Sequence, residues 1–456
     1  MAGTKARKYG STEKTRTQVL EALGVVKVAT AAQIRLLMCP GTADAATARG
    51  GCKDLEAEGL VLSAGRTSRL EADGRRITEK LWSLTPSGLE AAAVVLDRPV
   101  REMGGTAKAA AASGAKHAGK VTDTLAALLQ TPPETTAPVV RKDTVPAQAP
   151  APEQRPAGLG PIAAWSTEVS LPVTGSFAAP QKGSVRADMA FAATGTELPL
   201  LFVEVDNGTE SPPILAEKIA RYRKFFARTV TQGKRDVVLW RTVWSVPDPG
   251  RHGGGSHPPV AVVFTKKMGA QAMADRMQNV ADLSQQAWRG RWTIGRGGMY
   301  NPQDRDQDGY FDYEGTVPVV MTVLDRLERH GPHGPIWWRC GRKPALQTLA
   351  AALDNPNDVR AYDVRAEARR AAQEAKYAQE REKRDEERRR REAAAWPCPE
   401  CGRQVYPDGA DDGWSEGGAV QGGLCRICRS AAEEAARRAA DEQDGDGKRR
   451  RGWFGR

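Results

Sequence analysis

Three carboxylates in the middle of the sequence could bind a divalent metal ion. Asp188 lies in GSVRADMAFAATGTE, and the apolar run LPLLFVEVD ends in Glu204 and Asp206. Both segments are predicted strands, and the i,i+2 spacing of Glu204 and Asp206 directs both carboxylates to one face. Carboxylates on paired strands suit Mg²⁺, which prefers oxygen ligands and can activate water for attack on a phosphodiester. The pattern therefore predicts phosphoryl hydrolysis.

A basic segment, AEKIARYRKFFAR, follows the acidic strand and is a predicted helix. Several cations alternate with two aromatic residues along it: Arg221, Arg223, Lys224 and Arg228, with Tyr222 and Phe225 between them. Clustered cations are the main source of affinity for the DNA backbone. We therefore predict that Arg221, Arg223 and Lys224 face DNA.

Two tight cysteine pairs near the C-terminus have metal-ligand spacing. Cys398-Pro-Glu-Cys401 and Cys425-Arg-Ile-Cys428 are separated by 23 residues that contain Gly, Asp and Trp. Four thiolates suit a closed, tetrahedral, structural Zn²⁺ site with no open position for catalysis. The alternative is a redox dithiol, which usually has a single C-x-x-C, so a second matched pair favours zinc. The cationic tail KRRRGWFGR adds to a predicted contact module for nucleic acid or protein.

An Asp-rich loop has the first half of a calcium-binding pattern. Asp304, Asp306 and Asp308 alternate and are followed by Gly309. The acid expected at the twelfth loop position is replaced by Gly315. A solvated turn is therefore preferred to a Ca²⁺ site.

The N-terminal segment, residues 11–96, has the element order of a winged helix. A first helix around Val19 to Leu23 precedes AAQIRLLM, for which Thr30 is the predicted N-cap. A third helix is predicted from Ala43 to Glu58. An extended segment from Leu60, the returning strand EKLWSLT and a closing helix complete the order.

Basic residues lie where a winged helix contacts DNA. Arg49 and Lys53 lie on the third helix, which enters the major groove in this class of domain. The ribbon carries four arginines that could contact the adjacent backbone or minor groove: Arg66, Arg69, Arg75 and Arg76. The alternative is a winged helix used for dimerisation or protein contact, with these side chains solvated.

Composition supports a polyanion partner and excludes a membrane protein of the helical type. The 456 residues include 67 Lys+Arg and 56 Asp+Glu, a formal charge of +11, although Ala- and Gly-rich basic chains also arise from codon usage. No run reaches the ~20 apolar residues that a membrane helix needs, and the N-terminus has no apolar signal core. A cytoplasmic protein without membrane contact is expected.

The acidic strand and its helix resemble the PD-(D/E)xK, restriction-endonuclease-like core, with Asp188 and Glu204 at its two acidic positions. That motif places a lysine two residues after the second acid, where this chain has Asp206. The resemblance implies that Lys218 on the following helix brings an ammonium to the same place and stabilises the scissile phosphate. In the alternative, Glu204 and Asp206 pair with Lys218 and Arg221 in a degenerate, non-catalytic fold.

The winged-helix segment together with the string FVEVDNGTE and Lys218-Ile219 resembles the replication-relaxation family over about residues 11–265. The family implies a plasmid or integrative mobile element whose DNA is replicated or relaxed, with double-stranded DNA and replication proteins as partners. Together with the nuclease-like core, this setting predicts Mg²⁺-dependent nicking or relaxation of DNA, with Asp188, Glu204 and Asp206 as ligands and Lys218 at the scissile phosphate. A non-catalytic initiator or transcriptional regulator and an adaptor that recruits replication proteins are the alternatives.

The predicted fold class is a multidomain α+β protein with a winged helix, a nuclease-like α/β core, a long charged helix and a Cys₄ zinc-ribbon-like module. Its predicted segments are, in order, the winged helix 11–96, an Ala/Pro-rich linker 97–160, the nuclease-like domain 161–355, a charged helical spacer 356–395 and the zinc module 396–456. The DNA sequence recognised and the oligomeric state are not encoded in any pattern found.

Overall fold

The computed structural model describes residues 10–38, 44–70, 75–106, 115–129, 157–193, 196–246, 256–294, 308–343, 345–407 and 422–450. The chain divides into two compact units, Met1–Tyr362 and Asp363–Arg456. Both helices and several sheets are present, so the chain has a mixed α+β architecture. Within the described part of the chain, no helix is both long and apolar enough to cross a membrane.

The first unit begins with a helical segment that ends in a two-stranded ribbon. Its elements are α1 Glu13–Val25, β1 Ala29–Thr30, α2 Ala31–Met38, α3 Ala46–Ala57, β2 Val61–Leu70, β3 Arg76–Leu84 and α4 Pro86–Val95. The strands β2 and β3 are antiparallel, and β1 adds to β3 in a sheet of order β1-β3-β2.

Local capping explains where two of these helices begin. Thr30 Oγ1 accepts the N–H of Gln33 at 3.2 Å, while Gln33 Oε1 accepts the N–H of Thr30 at 2.8 Å. This reciprocal pair is a capping box, which satisfies two donors at the start of α2. Thr85 Oγ1 accepts the N–H of Gly88 at 3.0 Å, and this side-chain bond caps the start of α4.

The predicted linker, residues 97–160, contains a packed helix. This helix, α5 Ala115–Leu128, places Val121, Leu125 and Leu128 in the core, at the three- and four-residue spacing of one helix face. The Ala-rich composition hides this apolar stripe. Residues 107–114 and 130–156, which include most of the Pro-rich part of the linker, lie outside the described residues.

The rest of the first unit is built on a six-stranded sheet with its helices and hairpins. In chain order these elements are β4 Trp165–Leu171, β5 Val185–Ala192, β6 Leu200–Asp206, α6 Pro212–Phe226, β7 Thr229–Gln232, β8 Arg235–Val238, β9 Val260–Phe264, α7 Ala270–Leu283, α8 Gln285–Trp288, β10 Arg291–Ile294, β11 Gly309–Asp312, β12 Val319–Val323, α9 Leu324–His330, β13 Trp338–Arg339 and α10 Leu349–Leu353.

The sheet has the order β13-β12-β9-β6-β5-β4. The strands β4, β5 and β6 form an antiparallel meander, and β6 then pairs in parallel with β9, which pairs in parallel with β12. A parallel neighbour requires a crossover connection, and α6 lies within the one between β6 and β9. The candidate site forms around β5, β6 and α6.

The two faces of β6 belong to two different cores. Leu201, Val203 and Val205 pack in a core shared with the N-terminal helices and α5, whereas Phe202 packs against α6. All seven residues of the strand are buried, as expected for a central strand covered on both faces. The N-terminal segment and the sheet therefore share a continuous core, in contrast to the separate, tethered domain expected from sequence.

The second unit holds two long helices and a small hairpin. The charged helix α11 Val359–Ala393, which begins at the end of the first unit, has no buried residue. The hairpin consists of β14 Trp396–Pro397 and β15 Gln404–Val405, and α12 Arg426–Arg450 follows. Ion pairs spaced three or four residues apart line α11, for example Arg390 with Glu386 at 2.6 Å, which is typical of a solvated helix.

Candidate functional site

Asp188 is held at the point where the pairing of β5 and β6 ends. The ladder between these strands stops at Met189 and Val203. One step further on, Asp188 Oδ2 accepts the N–H of Val205 at 2.7 Å, and Asp188 Oδ1 lies 2.9 Å from His117 Nε2. The buried carboxylate thus replaces a backbone acceptor on one side and contacts α5 on the other.

Glu204 lies on the neighbouring strand and is almost completely buried, with 1% of its surface exposed. Its Oε2 forms an ion pair with Lys218, and its Oε1 accepts a hydrogen bond from the hydroxyl of Tyr222. Both partners come from α6, where a spacing of four residues places them on the same face. We call Asp188, Glu204, Lys218, Tyr222 and His117 the acidic cluster.

Burial and mutual charge set the ionisation of the cluster. Burial, together with the charge of Asp188, raises the pKa of Glu204 well above its usual value. Burial acts in the same direction on Asp188, but the hydrogen bond from His117 and the charge of Lys218 bring its pKa below the usual value. Burial also opposes the charged form of Lys218, yet both carboxylates raise its pKa. Burial thus opposes the ionisation of both carboxylates, while Lys218 favours it in both and His117 favours it in Asp188.

Asp206 does not belong to the acidic cluster. Arg276 Nε on α7 donates to its Oδ2 at 2.7 Å, and its Oδ1 accepts the N–H of Gly208 at 2.9 Å. Gly208 has φ of +68°, and a side chain there would meet Lys266, so the turn after β6 requires glycine. Arg276 also donates to the carbonyl of Glu210 at 2.6 Å. Asp206, the predicted third ligand, instead binds both this turn and Arg276 and so holds the turn against α7.

Asp188, Glu204 and Asp206 therefore do not form one site with three ligands. Among the described residues, the group of three or more potential metal ligands that lie close enough together to bind one ion consists of the four C-terminal cysteines. Glu204 contacts Lys218 of α6 and Asp206 contacts Arg276 of α7, so both carboxylates lie on the face that these helices cover. The i,i+2 spacing does not reveal that Arg276, which lies 70 residues after Asp206, pairs with the Asp206 carboxylate.

The predicted basic surface of α6 is partly used inside the protein. Arg223 donates to the carbonyls of Gly315 and Gln286, each at 2.9 Å. Arg221 pairs with Glu217 one turn earlier at 2.5 Å, and Lys224 is exposed. Tyr222 and Phe225, predicted to alternate with these cations on the surface, are fully buried. Much of this helix therefore serves the core.

The N-terminal cations remain on the surface. Arg49 and Lys53 are exposed and lie one turn apart on α3, opposite the buried Cys52 and Leu55. On the ribbon, the side chains of Arg66, Arg75 and Arg76 are exposed. The side chain of Arg69, the fourth predicted arginine, lies outside the described part of the chain. The structure keeps these groups at the protein surface, as a DNA-contacting role requires.

The four cysteines converge in the second unit. Their Sγ atoms all lie within 4.8 Å of one another, a spacing that allows them to bind a metal ion such as zinc. Cys398 and Cys425 are buried, and the N–H of Cys425 donates to Cys398 Sγ at 3.3 Å. This bond and other backbone donors lower the pKa of Cys398 to about 6, which favours a thiolate.

The hairpin β14–β15 and the start of α12 bring the two cysteine pairs together. The carbonyl of Cys398 accepts the N–H of Gly402 at 2.9 Å, and the N–H of Cys398 donates to the carbonyl of Arg403 at 2.7 Å. These bonds close a tight turn around the first pair, while Cys428 lies in the first turn of α12. Asp304 and Asp306 of the predicted calcium-like loop lie outside the described residues.

Residues 20–239 match the family model described as replication-relaxation. The match covers slightly less than half of the chain and includes α5, the acidic cluster and most of the N-terminal segment. The family predicted from sequence is thereby confirmed. No curated protein and no solved structure matches the chain.

Sequence reasoning missed two members of the acidic cluster, His117 and Tyr222. His117 lies in the predicted linker, 71 residues before its partner Asp188. Tyr222 has the sequence context of a surface aromatic residue among cations. Its position four residues after Lys218 is the available signal, because residues at i and i+4 of a helix share a face.

Proposed function

We propose that this protein binds and nicks double-stranded DNA during the replication or relaxation of a plasmid or integrative mobile element. The match to the replication-relaxation family model supports the biological setting. The acidic cluster carries the proposed chemistry, because two carboxylates on neighbouring strands and a lysine meet at one end of the sheet. The first unit contains α5, then the antiparallel meander β4–β6, then α6 and then β9, which is parallel to β6. This order of elements supports the nuclease-like fold expected from the resemblance.

The donor set fits Mg²⁺ with two carboxylates instead of three. Magnesium sites in phosphoryl-transfer proteins commonly use one or two carboxylates and complete their octahedron with water and substrate phosphate. Asp188 and Glu204 would hold the ion, and Asp206 remains with Arg276. When bound, Mg²⁺ supplies a Lewis acid and lowers the pKa of a coordinated water.

The remaining groups of the cluster orient and charge the site. Lys218 is four-fifths buried and pairs with Glu204, so it offers an ammonium at a fixed position to the scissile phosphate. Tyr222 holds the second oxygen of Glu204 and limits its rotation. His117, which is partly exposed, contacts Oδ1 of Asp188.

Relaxation of supercoiled plasmid in the presence of Mg²⁺ tests this function. Asp188→Asn and Glu204→Gln should each reduce nicking on the order of 10²–10³-fold, as when one charge-stabilising group is removed from an active site. Glu217→Gln, an exposed carboxylate change on the same helix as Lys218, is the matched control and should nick normally. Equal nicking by all variants would exclude the acidic cluster as the catalytic site.

A second candidate is a DNA-binding initiator or regulator without catalysis. It is favoured by the observation that both oxygens of Asp188 and of Glu204 already have partners within the protein. This function predicts wild-type protein that binds the element's DNA but leaves supercoiled plasmid intact with Mg²⁺ or Mn²⁺. The same plasmid assay therefore separates the two functions.

We assign DNA reading to the N-terminal winged helix, with α3 in the major groove and the β2–β3 ribbon along the backbone. The double variant Arg49→Gln/Lys53→Gln should weaken binding and reduce the slope of log K against log salt by about 2, or about 1 for each phosphate that is no longer neutralised. Lys234→Gln, an exposed change in the β7–β8 turn, is the control. Unchanged affinity and slope in the double variant would exclude α3 as the DNA-binding helix.

For the cysteine quartet we propose a structural Zn²⁺. All four coordination positions come from protein thiolates, so the site stabilises the hairpin and the start of α12 and has no open position. The module then serves as a contact surface for nucleic acid or for replication proteins.

A further inference from the structure

His117 contacts the acidic cluster from an element that carries none of its other members. The imidazole Nε2 lies 2.9 Å from Asp188 Oδ1, opposite the N–H of Val205 that binds Oδ2. The Asp188 side chain is 9% exposed and that of His117 is 36% exposed, so the imidazole is the more solvent-accessible of the two groups. Two donors on opposite oxygens fix the plane of the carboxylate, whose terminal torsion is otherwise broad.

The position of His117 is fixed by contacts of α5 with the N-terminal segment. Gln33 of α2 donates to the carbonyl of Gly119 at 3.1 Å and to Asp123 Oδ1 at 2.7 Å. The hydroxyl of Thr122 donates to the carbonyl of Val28 at 3.0 Å. These bonds begin two residues after His117, and together with the buried face of α5 they set the rotation of the helix. The histidine is therefore presented to Asp188 by a built arrangement.

We propose that His117 is a positioning residue that holds Asp188 in the orientation in which it binds a divalent cation. This inference rests on the proposed function of the acidic cluster. Partners hydrogen-bonded to ligating carboxylates orient them, and their loss commonly costs 10–100-fold in metal affinity or activity. His117 acts through Asp188 and does not itself touch the reacting phosphate.

Glutamine distinguishes positioning from proton transfer at this residue. The Nε2 of His117→Gln can donate to Asp188 Oδ1 as the imidazole does, but an amide does not act as a general acid or base at neutral pH. His117→Leu removes the donor and keeps an apolar body of moderate size. Lys116→Gln changes the exposed neighbour on α5 and is the matched control.

The test is calorimetric titration of Mn²⁺ into the zinc-loaded full-length chain, followed by plasmid nicking with the same preparations. His117→Leu should bind Mn²⁺ about 10–100-fold more weakly than wild type. His117→Gln and Lys116→Gln should bind it within a few-fold of wild type, and nicking should follow the same order. Thermal unfolding of each variant shows whether the fold is retained.

Three outcomes overturn the inference in distinguishable ways. Wild-type Mn²⁺ affinity in folded His117→Leu shows that Asp188 does not need the imidazole. Loss of Mn²⁺ binding in His117→Gln equal to that in His117→Leu shows that more than a donor is required. Wild-type protein that neither binds Mn²⁺ nor nicks DNA overturns the proposed function of the whole cluster, and this inference with it.

Discussion

The cysteine quartet and the acidic cluster are both convergent groups of side chains, yet they are assembled over very different distances along the chain. Each cysteine pair spans four residues, and the whole quartet lies between Cys398 and Cys428. The acidic cluster takes its members from α5, β5, β6 and α6, between His117 and Tyr222. Ligand spacing alone therefore predicted the first group completely and the second only in part.

Solvation separates the two groups as well. Around the cysteines, the turn between β14 and β15 and the start of α12 supply backbone N–H donors to the sulfur atoms. Around Glu204, packing of α6 on the sheet removes nearly all water, so its charge depends on Lys218 and Asp188. A local site is determined by turn geometry, whereas a core site is determined by which long-range partners pack against it. The following predictions test this difference.

Loss of one buried cysteine should produce the largest effect. Cys398→Ser should reduce bound zinc from about one per chain to nearly none, because structural Zn²⁺ contributes about 10–16 kcal/mol to such small modules and needs all four ligands. Elemental analysis of purified protein measures this ratio. Cys52→Ser, a buried thiol of the first unit, should keep its zinc. Wild-type protein that contains no bound metal would contradict the proposed zinc site.

A buried ion pair should matter more than an exposed one on the same face of the sheet. Arg276→Met leaves the buried carboxylate of Asp206 without its cation and should lower the free energy of unfolding by about 3–5 kcal/mol. Arg221→Met breaks the exposed pair with Glu217 and should cost about 0.5 kcal/mol or less. Denaturant unfolding measures both. Similar losses in the two variants would show that Asp206 is not held by Arg276.

The contact of α5 with the cluster should appear as a small pH effect on stability. The hydrogen bond with Asp188 raises the pKa of His117 above its usual value of 6.5. Its contribution is therefore complete below pH 6.5 and is lost as the pH rises through the higher folded-state pKa. The difference in unfolding free energy between wild type and His117→Gln should accordingly decrease as the pH rises from 6.5.

Lys116→Gln, which keeps the imidazole, is the control for this pH series and should follow wild type. A difference between wild type and His117→Gln that stays constant from acid to alkaline pH would show that His117 and Asp188 do not interact in the folded protein. The acidic cluster would then have no member from α5. Its residues would span only Asp188 to Tyr222, which is closer to the short span of the cysteine quartet.

Much of the N-terminal fold could be predicted because its signals are local. Thr30 is recognisable as a cap position from sequence, and the predicted third helix from 43 to 58 corresponds to α3 Ala46–Ala57. The cap depends on a donor three residues away, so no distant partner decides it. The helix α5 was missed because its apolar residues are separated by Ala and Lys and are flanked by Pro-rich sequence.

The sequence by itself predicted the match to the family model, the cysteine quartet and the acidic residues of the proposed site. Residue type and short spacing carry this information, since a C-x-x-C pair or an i,i+2 pair of carboxylates has few possible geometries. The tertiary structure alone decided that Asp206 pairs with Arg276 and that His117 reaches Asp188. Those choices depend on how helices from distant parts of the chain pack on the sheet, and burial then makes each pairing obligatory.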